Sequence, residues 1–172
     1  MRNSILKLAA MSVAMSALAV SAPAFAQEEE AESGPITITG GITGVSDYRF
    51  RGVSLSDKDF AIQPTLTVKH ESGFYVGLWG SNLAANAGDD VEVDIYAGFA
   101  GGDTVTYDIG ATYYVYPGIS SFNYVEFTGK LGTTVGPATI GGQLSYVPSQ
   151  DNTGNTDNIY VATNAAIALP DS

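Results

Sequence analysis

The sequence predicts an all-β protein, an antiparallel up-and-down transmembrane β-barrel with about eight strands present. Three observations predict it. From Ile36 onward apolar and polar residues alternate, Gly, Thr, Val and Tyr are abundant, and no stretch carries apolar residues at helical spacing. The connections between these segments switch regularly between long and tight. Hairpins closed at the tight turns then bring apolar residues opposite apolar ones and polar opposite polar.

Taken in order, residues 1 to 26 read as a secretory signal: Arg2 and Lys7, an apolar run from Leu8 to Val20, then the small-residue cleavage signature Ala24-Phe25-Ala26. Residues 27 to 35 are acidic, have almost nothing to bury and end at Gly34-Pro35, so they form a disordered lead. The domain expected over residues 36 to 172 begins with a strand at 36 to 50, whose Gly40, Gly41 and Gly44 suit a barrel strand that must bend. A polar connection, 51 to 60, leads to strands at 61 to 70 and 74 to 82, joined by the tight turn Glu71-Ser72-Gly73. After the polar segment 83 to 90 come strands at 91 to 100 and 104 to 116 around Gly101-Gly102-Asp103. Segment 117 to 122 precedes strands at 123 to 133 and 138 to 147, which flank Thr134-Val135-Gly136-Pro137, and the long polar stretch 148 to 157 precedes a last strand at 158 to 169. Long connections alternating with short ones fit an outer-membrane meander, with short periplasmic turns and longer extracellular loops; a Greek-key sandwich has no reason to alternate them.

Register sharpens the expectation, because a slip of one residue moves every side chain to the opposite face. Closing Gly101-Gly102-Asp103 sets Phe99 against Val105, Ile95 against Ile109 and Val93 against Ala111, with Tyr96 against Asp108 and Glu92 against Thr112 on the other face. Closing Glu71-Ser72-Gly73 aligns Val68 with Val76 and Leu66 with Leu78. The four-residue turn at Thr134 aligns Leu131 with Ile140 and Phe127 with Leu144.

Composition excludes several functions. The chain carries 18 acidic against 7 basic residues, a formal charge of -11, and so lacks the basic footprint that a nucleic-acid partner requires. It has no cysteine and one histidine, which excludes thiolate zinc sites, thiol catalysis and haem attachment, and no cofactor is implied. Beyond the signal no apolar run is long enough for a transmembrane helix, which needs roughly 18 residues. His70 with Ser72 forms no hydrolase pair at a tight turn, no Gly-x-Ser-x-Gly elbow exists, and Gly40-Gly41-Ile42-Thr43-Gly44 lacks the lysine and spacing of a phosphate loop. The protein is not expected to be an enzyme.

Alternation alone leaves open which face is wet, since a soluble β-sandwich turns its polar face to solvent. Strands of about ten residues tilted by roughly 40° span the ~25 Å apolar band of an outer membrane, which favours the barrel. So do aromatics near strand ends, at Tyr48, Phe50, Phe74, Tyr113, Tyr116, Phe122, Tyr124 and Tyr146, where interfacial girdles would lie. The polar face then lines the interior, and its candidate lumen charges are Arg49, Arg51, Lys69, Glu92, Asp94, Asp108, Glu126 and Lys130. Arg49 and Arg51 lie near the outer mouth at the height of Glu92, Asp94 and Glu126; Lys69, Asp108 and Lys130 lie lower. Opposed rings of charge would set pore selectivity. The alternative is an ion-pair network that satisfies buried charge in a narrow barrel, with the arginines pairing to Asp47 and Glu92. Two acidic clusters, Asp89-Asp90 with Glu92 and the stretch from Asp151 to Asp157, have oxygen ligands suited to Ca²⁺ but not the EF-hand spacing, and solvated loops are the preferred interpretation.

The stretch Val45-Ser46-Asp47-Tyr48-Arg49-Phe50-Arg51-Gly52-Val53-Ser54-Leu55-Ser56-Asp57, followed by His70-Glu71-Ser72-Gly73-Phe74-Tyr75-Val76-Gly77-Leu78-Trp79-Gly80-Ser81-Asn82, resembles the TorF family of bacterial outer-membrane porins. Val93-Asp94-Ile95-Tyr96-Ala97-Gly98-Phe99, Tyr113-Tyr114-Val115-Tyr116-Pro117-Gly118 and Asn123-Tyr124-Val125-Glu126-Phe127 are similar to it as well. The resemblance implies a cell outer-membrane location, contact with its lipid, assembly by the barrel-assembly machinery and passive diffusion of small polar solutes. Similar members continue for several more strands, whereas this sequence stops at Leu169-Pro170-Asp171-Ser172 without an aromatic last residue, so a C-terminally truncated barrel is expected. An eight-strand interior is filled by side chains. Conduction would then need further strands, or pairing with another copy as a homo-oligomer at the edges of the first and last strands. A non-conducting structural barrel and a soluble secreted β-sandwich are the competing expectations.

Overall fold

The computed structural model describes residues 34–84 and 90–168. The expected signal, and all of the acidic lead except Gly34 and Pro35, lie outside the described residues. The strands are β1 (Ile36–Val45), β2 (Arg49–Phe50), β3 (Val53–Ser54), β4 (Ala61–His70), β5 (Phe74–Asn82), β6 (Val91–Gly102), β7 (Val105–Val115), β8 (Tyr124–Val135), β9 (Ala138–Val147) and β10 (Asn158–Ile167). The eight long strands form one antiparallel sheet in the order β1-β4-β5-β6-β7-β8-β9-β10, each paired with its sequence neighbour, while β2 and β3 form a separate two-stranded hairpin inside the β1–β4 connection. All eight segments read as strands from alternation are strands.

The first strand is shorter than predicted. It ends at Val45 because polar groups capture the next residues: Ser54 Oγ donates to Asp47 Oδ1 at 2.5 Å and Tyr48 N donates to Ser56 Oγ at 2.8 Å. These local bonds offer the backbone an alternative to the ladder.

The β4–β5 hairpin has the predicted register, Val68 opposite Val76 and Leu66 opposite Leu78. The other two differ by an even number of residues. Phe99 faces Ile109 and Ile95 faces Tyr113, because the ladder runs on through Gly101 and Gly102 before turning at residues 103–105. Gly101 is needed inside the strand: a Cβ there would lie 2.8 Å from the Tyr107 hydroxyl, and Tyr107 crosses this position to meet the Phe99 ring, with centroids 5.9 Å apart. Leu131 likewise faces Gly142 and Phe127 faces Tyr146, since Gly136-Pro137 alone makes the turn, with Gly136 at φ 60° as a two-residue hairpin of type II′ requires. An even shift leaves each side chain on its predicted face.

Exposure is inverted relative to a soluble domain. Ile109 is 65% exposed, Leu131 63% and Leu144 55%, whereas Glu92 is 1% exposed and Glu126 3%. Ile95 and Val105 are also exposed, and among the described residues no second sheet packs on this apolar face. Among the described residues the buried hydrophobic cluster is a small one at the C-terminal end of β1, where Val45, Tyr48 and Ala61 pack with Leu55, Trp79 and Leu83.

The sheet is not closed. Among the described residues β1 pairs with β4 and β10 with β9, and no ladder joins β10 to β1, so the predicted cylinder is an open, curled sheet here. The physical reason lies on the polar face. An eight-strand cylinder has room for its own side chains or one small ligand, whereas this face also carries the backbone of the β2–β3 hairpin, which touches β5, β6, β7, β8 and β10 through Tyr48, Phe50 and Arg51. Eight strands wrap these contents without meeting.

Candidate functional site

The site grows from the connection between β1 and β4. Arg51 (φ 50°) and Gly52 (φ 87°) are consecutive left-handed residues, the geometry of a type I′ two-residue turn that joins β2 to β3. A non-glycine residue in this region is strained, and Arg51 is held there by what its side chain reaches. Its Nη2 donates to Glu126 Oε2, and its guanidinium carbon lies 4.1 Å from the centroid of Tyr160 and 4.6 Å from that of Phe50. One arginine at the hairpin tip thus pairs with a carboxylate on β8 and stacks on a ring of β10.

Around it lies an acidic, phenolic lining. Tyr48 OH donates to Glu92 Oε1 at 3.1 Å, and the Tyr116 hydroxyl also bonds Glu92. Tyr114 and Tyr124 stack at 4.3 Å with their planes 10° apart. Burial, and then the Glu92 and Asp94 carboxylates, hold the Tyr48 hydroxyl well above the ordinary tyrosine value, so it stays a donor at any physiological pH. Asp47, at the hairpin base, is shifted the other way: the Ser54 hydrogen bond, with help from Arg49, holds its carboxyl below the ordinary range.

Lower on the same face, tyrosines lie flat across whole strands. Tyr96 on β6 passes over Gly77 of β5 to meet Thr67 of β4, hydroxyl to hydroxyl at 2.6 Å, and Tyr75 on β5 passes over Gly98 of β6 to donate to Asp108 Oδ1 on β7 at 2.6 Å. A Cβ at either glycine would fall 2.4 Å from the tyrosine oxygen above it. Lys130 Nζ lies 3.9 Å from the other Asp108 oxygen.

Of the residues singled out from the sequence, Arg51, Glu92, Asp94 and Glu126 gather in the upper group, and Asp108 with Lys130 in the lower one. Arg49 does not join them. It pairs with Asp47 at 2.6 Å and donates to Gly52 O, so it stays in its own hairpin and is exposed, while Lys69 is exposed near the β4–β5 turn. Arg51 pairs with Glu126 on β8 instead of Glu92. Four residues assigned to the girdles, Tyr48, Phe50, Tyr116 and Tyr124, lie on the polar face instead, while Phe74, Tyr113, Phe122 and Tyr146 are exposed near strand ends. Parity was the available signal for Tyr124, which is two residues from Glu126, and for Tyr75, Tyr96 and Tyr114. Tyr48 had none, since it follows a break in the strand.

The acidic loops use their oxygens internally. Asp157 Oδ1 accepts Ser149 N at 2.8 Å, and Gln150 fastens this loop to both backbone groups of Val125. Asp89 lies outside the described residues. His70 Nδ1 is 2.8 Å from Ser72 Oγ in an exposed turn. Among the described residues no group of three or more His, Asp or Glu is arranged to hold a metal.

Residues 28–172 match a family described as bacterial protein of unknown function (Gcw_chp), and the chain belongs to that family. Searches of curated proteins and of solved structures found no match.

Proposed function

We propose that this Gcw_chp protein is an outer-membrane β-barrel similar to the TorF porins, whose polar face borders a path for passive diffusion of small polar solutes. The observation that carries the proposal is the inverted exposure. Isoleucine, leucine and valine from all eight long strands are exposed on one face that no second sheet among the described residues covers, while carboxylates and hydroxyls are buried and an arginine is half-buried on the other. Such a surface is unfavourable in water at about 25 cal/mol per Å² of apolar area and neutral or favourable against hydrocarbon. Export directed by residues 1–26, insertion by the barrel-assembly machinery and contact with outer-membrane lipid belong to the same proposal. The edges of β1 and β10 cannot stay unpaired in lipid, so closure needs further strands or another copy of the chain.

A second reading is favoured by one specific observation. The β2–β3 hairpin and Arg51 fill the polar face, as an insulating barrel that stabilises the envelope would require. Planar-bilayer recording separates the two: discrete conductance steps are expected for a diffusion path, and a heat-modifiable membrane protein that gives no steps is the structural barrel. Recovery in the detergent-free periplasmic supernatant would remove both.

A further inference from the structure

We propose that Glu92 and Asp94 form a binding site for a hard divalent cation, with Ca²⁺ the best fit, on the inner face of β6. The two residues are two apart in the strand and so share a face. Glu92 is 1% exposed and Asp94 8%, and Glu92 Oε2 and Asp94 Oδ1 are buried side-chain atoms that receive no donor from any other described residue; the two carboxyl groups hydrogen-bond only to each other there. Buried carboxylate oxygens left in this state are costly, and a charge in such a place is ordinarily paired or bound to a metal. The nearby cation does not serve them, because Arg51 is committed to Glu126. Three carboxyl groups at this end of the face against one guanidinium leave a formal surplus of two negative charges; without an ion the Glu92–Asp94 pair offsets part of it by sharing a proton, and a divalent ion that displaces that proton balances both.

The donor set selects the ion. Two carboxylates and the hydroxyls of Tyr48 and Tyr116 are all hard oxygens, with no nitrogen or sulfur to favour a softer metal. These two oxygens expose essentially no surface to water, so the methylenes of an organic cation have no way in, whereas a bare ion is smaller than water. Ca²⁺ tolerates irregular oxygen coordination better than Mg²⁺, which demands a near-ideal octahedron. The site differs from both loop clusters noted in the sequence: it takes Glu92 with the inward Asp94 instead of the loop aspartates. It does not depend on the membrane proposal, since the face is intact in any medium that keeps the sheet folded.

Terbium tests it. Tb³⁺ takes Ca²⁺ sites and luminesces when an adjacent aromatic ring passes on its excitation, and Tyr48 and Tyr116 both lie on Glu92. With the full chain folded in detergent micelles, saturable tyrosine-sensitised emission is expected, displaced by CaCl₂ and not by NaCl of equal ionic strength. Glu92→Gln and Asp94→Asn should each weaken binding at least tenfold, while Asp151→Asn leaves it unchanged. Absence of saturable emission, full binding by the Glu92→Gln and Asp94→Asn chains, or loss of binding in Asp151→Asn would overturn the site. Should those two variants not fold, the unmodified chain still decides. Trp79, the single tryptophan, lies 5.3 Å from Tyr48 between ring centroids, so CaCl₂ must shift its emission; terbium luminescence with unaltered Trp79 emission places the ion elsewhere. No pore is needed, so failure here and failure of the diffusion proposal are read separately.

Discussion

At the scale of single residues the polar face is decided by Arg51 and by glycines that make room for tyrosines. The Glu126 side chain is 4% exposed and that of Arg51 22%, so removing the guanidinium leaves a nearly buried carboxylate without its cation. Arg51→Met is expected to cost about 3 kcal/mol, the lower end for breaking such a pair. Adding Glu126→Gln should return a good part of it, and urea midpoints of the two single variants and the double variant in detergent measure the coupling. Gly77→Ala drives a methyl into Tyr96 and the Leu66 carbonyl, with an expected loss of about 1–3 kcal/mol. Tyr96→Phe, which keeps the ring and drops only the Thr67 bond, should cost about 1 kcal/mol. Were the two variants equal in an unfolding titration, the close approach would not be what demands glycine.

At the scale of elements the unit that matters is the Arg49–Ser54 hairpin. Asp47 fastens its base through Ser54 and Arg49. Because the folded-state pKa of Asp47 lies below its unfolded value, this fastening contributes in full above the ordinary carboxylate range and is lost as pH falls through the lowered value. The stability difference between the parent chain and Asp47→Asn should therefore be present at neutral pH and vanish in acid, which a series of urea midpoints at falling pH checks. The strands themselves were legible in the sequence, since alternation is local and each of the eight long segments carries its own. The register of two hairpins was not, because Gly101-Gly102 and Thr134-Val135 suit a turn and a strand alike. Tyr107 lying over Gly101 and the Gly136-Pro137 turn settled it.

At the scale of the whole molecule the contrast is between an apolar exterior and a polar interior on one open sheet. If the apolar face meets hydrocarbon, Ile109→Lys and Leu131→Lys should each impair assembly into lipid vesicles by about 2–4 kcal/mol near mid-bilayer. Lysine in place of Thr139, near the end of β9, should cost far less. The fraction of heat-modifiable folded protein on a gel reports the difference, and tolerance of lysine at Ile109 and Leu131 would contradict a lipid-facing surface. The open edges of β1 and β10 belong to this scale too: cross-linking between cysteines introduced at Thr39 and Ala162 is expected between copies if a second chain supplies the missing pairing.

The sequence by itself determined where the strands lie, that they pair with their neighbours in order, and which residues share a face, because a period of two residues is written locally and survives any even shift of register. It also brought Arg51, Glu92, Asp94 and Glu126 to one end of one face. Only the tertiary structure decided that the first long connection folds inward, that Arg51 meets Glu126 instead of Glu92, that Tyr48 is buried, and that eight strands curl without closing. Those outcomes depend on contacts between residues far apart in the chain, 75 positions in the case of Arg51 and Glu126. What fills the space enclosed by a sheet is a matter of volume, which alternation does not encode.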